Sequence, residues 1–395
     1  MKILSMITEG KHALESLDLN SGALSAAGQA MAELGISGCT GSLCVKTNIL
    51  TPDVIATLSK TTFSILLPLF LCTSMIKTIG THSIGRSSIA VPIIAILHCL
   101  FLYIISTNFL LAAFGIDSLT NTGRSTAVTC SWGNSGVVPL IFAESLFRNS
   151  EFHISKAYYY VALYLVGWSP FFWSFGKHIL IDQQSTNESP EALDEIHEST
   201  FKEKIQILKS ILPPPVIGVF SGLFISLSPL LSIVWSSTKK KALLSFVYNS
   251  LQNLGSAANP LSLLVLTSSL ASGRKCAVER HDDYNSDIES VSFLQKWFCV
   301  SIARFILSPL LMFFLLKFAS NMGIVGAPKT DPMLWFIMIL QSCMPSAQNA
   351  VLMLQVADRP KEASDMATFL FSIYATAMLP LIITITALLQ LLDLA

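Results

Sequence analysis

Trp132-Gly133-Asn134-Ser135-Gly136-Val137-Val138-Pro139-Leu140 breaks, with glycine, amide, hydroxyl and proline, a stretch that is otherwise apolar for the length of a membrane span. Met344-Pro345-Ser346-Ala347-Gln348-Asn349-Ala350 does the same in the second half of the chain. A polar backbone group stranded in hydrocarbon costs about 2–7 kcal/mol, so such a break persists only where protein or a water-lined cavity satisfies it. Interrupted helices at corresponding places in two halves of a chain point to a transporter's binding site. One break alone reads better as a proline kink with asparagines bridging neighbouring helices. Two breaks in matching spans favour a site.

Working outward, composition fixes the class. Of 395 residues, 52% are hydrophobic and 13% charged, against about 25% charged in soluble domains. The chain reads as an all-α, polytopic membrane protein whose surroundings are lipid. Formal net charge is zero and no basic tract stands out, which argues against nucleic acid. The cysteines fall mostly in apolar segments, where they act as small hydrophobes; no metal site or cofactor is expected. No HExxH, Walker-type loop or Ser/His/Asp spacing points to an enzyme. Residues 1–20 lack the long apolar core of a signal peptide.

With about 20 apolar residues needed per crossing, ten spans are expected, near residues 22–45, 54–76, 88–114, 125–146, 155–175, 205–235, 242–271, 291–320, 332–357 and 366–392. The breaks fall in spans four and nine. Pro68 in span two and Pro260 in span seven open similar Pro-Leu strings. Five plus five spans would form two inverted five-helix repeats, with crossover helices and a site near mid-membrane. The implied organisation is a tail over residues 1–21, a first repeat over 22–175, an acidic loop over 176–204 and a second repeat over 205–395. Lys and Arg are spread evenly over both sets of loops, so charge does not orient the chain.

The breaks carry their own chemistry. Pro139 and Pro345 free the carbonyls four residues before them, and Gly133 and Gly136 permit close approach of backbone or ligand. Unwound helices present N-terminal ends that hold an anion without a basic side chain. Asn134, Ser135, Ser346, Gln348 and Asn349 add side-chain donors and acceptors. The combination fits a small organic anion with an apolar body. Glu33, in a small-residue-rich span one, is the clear intramembrane acid. Arg304, in span eight, is the most interior base; it either attracts the anion or, equally consistent with its type, snorkels or pairs with a carboxylate.

These strings resemble a known family. Gly133-Asn134-Ser135-Gly136-Val137-Val138-Pro139-Leu140 is similar to the Gly-Asn-x-Gly-x-x-Pro-Leu motif in the fourth span of the PIN-LIKES group of auxin efflux carrier-like proteins, relatives of the PIN-FORMED auxin exporters. Met344-Pro345-Ser346-Ala347-Gln348-Asn349 resembles that group's Met-Pro-Pro-Ala-Met-Asn in the ninth span, with Ser346 in place of the second proline. Asn48-Ile49-Leu50-Thr51-Pro52-Asp53 resembles its join between spans one and two. The resemblance implies a secondary carrier of an auxin-like carboxylate. It implies a scaffold of spans one, two, six and seven, often dimeric, and an elevator-type motion of the remaining spans. Asn134 and Asn349 would contact substrate, Pro139 and Pro345 would mark the crossover, and an endoplasmic reticulum membrane is favoured over the plasma membrane. The alternatives are a carrier of a dicarboxylate or bile-acid-like anion on the same architecture, and a membrane sensor without flux.

Overall fold

The computed structural model describes residues 32, 35, 36, 39–81, 85–147, 150–181, 214–235, 243–258, 260–265, 267–268, 291–392 and 394. Among them the chain is helical, and its only extended pairing is a single bridge. Four helical segments are long and apolar enough to cross a membrane: Pro52–Gly80, Ser87–Ala113, Phe293–Asn321 and Pro360–Leu391. These are spans two, three, eight and ten of the sequence reading. Phe101, Phe109, Phe224, Phe314, Phe318 and Leu379 stand exposed on helix surfaces, which suits contact with lipid tails.

Local chemistry sets the helix starts. Thr51 caps α1 (Pro52–Thr61), with proline at the first position. After one π-helical turn, Thr62–Leu66, the same rod continues as α2 (Leu67–Thr81). The third span is α3 (Arg86–Ile105) with its own π turn at Ser106–Leu110. The two segments that hold the sequence breaks are each divided into two helices. Thr120 caps α4 (Asn121–Ser131), the chain unwinds, and α5 (Val137–Leu146) resumes. Ser150 caps α6 (Glu151–Phe171). In the second half α7 (Pro214–Leu227), α8 (Ser245–Ser256), α9 (Phe293–Ile302) and α10 (Ser308–Asn321) follow. Asp331 caps α11 (Pro332–Cys343), a second unwound stretch follows, and then come α12 (Asn349–Val356) and α13 (Pro360–Leu391).

One boundary moves. The sequence reading begins the acidic loop at residue 176, yet helix runs on through Leu180. Ile179 and Leu180 are buried, and burying two apolar side chains holds the extra turn. The rest of that loop, the tail and Glu33 lie outside the described residues.

The helices pack in two groups. In the first, α2 lies against α7 and α8. The pair Gly218 and Gly222 makes this possible: a Cβ on Gly218 would lie 2.4 Å from the Pro68 carbonyl oxygen, and one on Gly222 would lie 2.6 Å from that of Cys72. Small residues one turn apart let two backbones touch, which substitutes for the hydrophobic drive that is missing between helices in lipid. In the second group α6 packs against α3 and α11, and α9 to α13 close around the two breaks. Pro68 is therefore a packing surface for α7, and Pro260 lies exposed on helical backbone.

Candidate functional site

The two breaks meet. Gly133 and Ser346 face each other in an antiparallel bridge. Asn134 N donates to Pro345 O at 2.7 Å, and Ala347 N donates to Trp132 O at 2.9 Å. Each unwound segment thus supplies the hydrogen bonds that the other lost by leaving the helix, which is what burial away from water demands. Pro139 removes a donor for the carbonyl of Ser135, and Gln341 Nε2 of α11 donates to that carbonyl at 3.1 Å. Ser346 Oγ donates to Thr129 O at 2.7 Å. Tyr374 of α13 ties both strands: its hydroxyl accepts from Asn134 Nδ2 at 2.7 Å and donates to Ser346 O at 3.1 Å. Trp132, fully buried, roots the first break among Tyr103, Phe171 and Phe175, with ring centroids 5.6–6.1 Å apart.

Arg304 sits on one side of this crossing with none of its surface exposed. It lies in a π-helical turn, Ala303–Leu307, an irregularity that frequently marks function. Its Nε and Nη2 donate to Met344 O at 2.9 and 2.8 Å, Nη2 also to Ser342 O at 2.8 Å, and Nη1 reaches Cys130 O at 3.5 Å. Nη1 also donates to Ser308 Oγ at 3.3 Å, and Ser308 Oγ in turn donates to Ser342 O at 2.6 Å. Every acceptor is neutral, and no carboxylate among the described residues pairs with it. Of the fates the sequence left open, snorkelling does not fit a fully buried guanidinium, and among the described residues no carboxylate pairs with it. Arg304 instead caps the carbonyl ends of α4 and α11, where helix dipoles concentrate negative charge.

The opposite ends of the crossing are different. Helices α5 and α12 begin at Val137 and Asn349, and neither has a side-chain cap, although Asn134 Oδ1 accepts from Gly136 N at 3.4 Å; α8 and α13 also lack a side-chain cap, while α1, α4, α6, α9 and α11 have one. Gly136 and Asn349, at the N-terminal ends of α5 and α12, both line a cavity of about 30 Å³. It is lined by Asn134, Gly136, Gln348 and Asn349 from the breaks, by Leu165, Trp168, Ser169 and Trp173 of the fifth span, by Leu67, Phe70 and Leu71 of α2, and by Ser262. Three buried polar atoms on these walls have no hydrogen-bond partner: Gln348 Oε1, Ser169 Oγ and Trp168 Nε1. Buried polar atoms are normally satisfied, and an exception calls for an explanation such as an absent water, ion or ligand; other such atoms, among them Trp132 Nε1 and Gln341 Oε1, lie away from this cavity. A second cavity of about 440 Å³ shares Phe70 and Leu165 with the first and runs along the seam between the two helix groups, past Thr73, Lys77 and Tyr158. A larger cavity, about 600 Å³, lies elsewhere, among Asn121, Arg124, Lys296 and Glu362. Its charges are already engaged: Arg124 donates to Leu119 O at 2.7 Å and Glu362 pairs with Arg359 at 3.7 Å.

The residues expected from sequence therefore sort by place. Asn134, Gly136, Gln348 and Asn349 reach the cavity. Ser135 and Ser346 do not: their hydroxyls donate to Gly133 O and Thr129 O and brace the bridge. Gly133 carries the close approach, since a Cβ there would lie 2.0 Å from Arg304 Nη2, while one on Gly136 would meet no protein atom within 4 Å. Tyr374, Gln341, Ser308, Trp168 and Ser169 were missed. Each is a polar side chain alone in an apolar span, a signal available but not distinctive.

Comparison with known proteins agrees. The chain matches the family model described as membrane transport protein over residues 30–385. It is similar to Protein PIN-LIKES 2 of Arabidopsis thaliana, 29% identical over 168 residues, which is 41% of this chain and 33% of that relative. The aligned stretch thus spans about a third of the relative's length. With helices apolar enough to span a bilayer and a family match over nearly its whole length, the chain is an integral, multi-pass membrane protein of the membrane transport protein family, the auxin efflux carrier-like family that its two breaks resemble.

Proposed function

We propose that this protein is a secondary carrier of a small organic anion, an auxin-like carboxylate, and that the anion binds where spans four and nine cross. The observation that carries the reading is the convergence of two uncapped helix N-termini and three unpartnered buried polar atoms on one cavity. Helix N-termini hold carboxylates through backbone N–H groups and dipole without a counter-ion. Asn349, whose side chain has no partner among the described residues, is the leading substrate contact, with Gln348 and Asn134 beside it.

The cavity's position supports an elevator-type motion. Its walls belong partly to the α2, α7 and α8 group and partly to the crossover group, so sliding one group past the other would carry the anion across. At about 30 Å³ it has room for about one water, so indole-sized ligands require the groups to part along the seam. The wider account has ten spans as two inverted repeats, residues 22–175 and 205–395 around a central loop, in a homodimer of the endoplasmic reticulum membrane. It is supported by the antiparallel sense of the bridge and by the family resemblance. The test is binding of indole-3-acetate to purified protein beside a panel of dicarboxylates and bile acids, followed by uptake into vesicles. Saturable binding without flux would favour a sensor.

A further inference from the structure

We propose that Arg304 is a positioning residue that sets the charge of the crossover, and that through it the site selects a ligand bearing one negative charge; this rests on the carrier reading above. The argument is a charge count. Each helix end carries about half an elementary charge, negative at the carbonyl end and positive at the amide end. Two carbonyl ends, those of α4 and α11, meet at Arg304, whose guanidinium donates to Cys130 O, Ser342 O and Met344 O. Their joint charge of about −1 is cancelled by its +1. Two amide ends, those of α5 and α12, meet at the cavity and have no side-chain cap. They leave about +1 uncancelled at the cavity. A monocarboxylate balances that charge. A dicarboxylate overshoots it, and a neutral isostere leaves it unmet.

Arg304 does this without touching the ligand, since it does not line the cavity. Gly133 and Asn134 intervene: the guanidinium packs against the Gly133 Cα, and Asn134, the next residue, forms the cavity wall. The placement is held by Ser308, which accepts from Arg304 Nη1, donates to Ser342 O and lies 3.1 Å from His98 Nε2. Removing the charge uncovers the two carbonyl ends, and their negative field then opposes an anion at the far side of the bridge.

The test measures the affinity of purified protein for indole-3-acetate and for its neutral amide, indole-3-acetamide, and takes the ratio. Arg304→Gln keeps hydrogen-bond donors and removes the charge. Ser308→Asp keeps the arginine and neutralises it from one hydrogen bond away. Both are expected to lower the acid-to-amide preference about tenfold. A merely structural role would weaken both ligands together and leave the ratio alone. A native ratio in whichever neutralised variant folds overturns the proposal and leaves the carrier reading standing. Failure of the native protein to bind either probe overturns both.

Discussion

Gly133 gives up the space of a side chain to Arg304: a Cβ built on it would lie 2.0 Å from the guanidinium Nη2 and 3.2 Å from the carbonyl oxygen of Met344. The first break therefore has a glycine at this position for contact with a fully buried cation rather than for turn geometry. Gly133→Ala is expected to destabilise the protein by about 1–3 kcal/mol, the usual cost of overpacking, read as a fall in melting temperature in detergent. Gly136→Ala, facing open space, should keep native stability and lose affinity for indole-3-acetate by crowding the cavity.

Asn349 separates binding from folding. It lines the cavity and its side chain has no partner among the described residues, so Asn349→Ala should fold normally and lose about tenfold or more in affinity, the worth of one hydrogen bond to a charged group. Asn349→Asp should bind more weakly still, because it sets a carboxylate against an anion. Melting temperature and affinity measured on the same samples check this; native affinity in both variants removes Asn349 from the site.

Tyr374 is predicted to act the other way. Its hydroxyl bonds to Asn134 Nδ2 and Ser346 O and does not reach the cavity. Tyr374→Phe leaves two buried groups short of a partner, at about 1–3 kcal/mol, so the melting temperature should drop. Affinity should change only through Asn134, whose released amide hydrogen is then free to turn to the ligand.

Sequence carried much of this, and the reason is physical. A break in a membrane span is costly, so Asn134, Pro139, Pro345 and Asn349 announce themselves against an apolar background. Ser135 and Ser346 looked equally available, yet their hydroxyls brace the bridge. Residue type does not say which way a side chain points when the backbone has left the helix. Arg304 was legible as a buried base, but its partners are carbonyls, and carbonyls are the same at every position of a sequence. The continuation of the fifth span to Leu180 was hidden because Lys177 and His178 read as loop.

No Asp or Glu stands among the walls of the crossover cavity, while Glu33 lies outside the described residues. Flux at saturating substrate should change little when a proton gradient is collapsed, once ionisation of the substrate itself is held constant. Uptake into vesicles with and without an ionophore checks this, and loss of accumulation would turn attention to Glu33 and to His98, which lies within reach of Ser308.

The central claim is that the anion sits at the meeting point of two helix N-termini. A cryo-electron microscopy map of the purified protein with saturating indole-3-acetate tests it most directly. The account predicts ligand density between Gly136, Gln348 and Asn349, with the carboxylate against the first turns of α5 and α12 and the ring toward Phe70 and Trp168. Density seated instead in the 600 Å³ cavity beside Arg124 and Lys296, with none at the crossover, would contradict it.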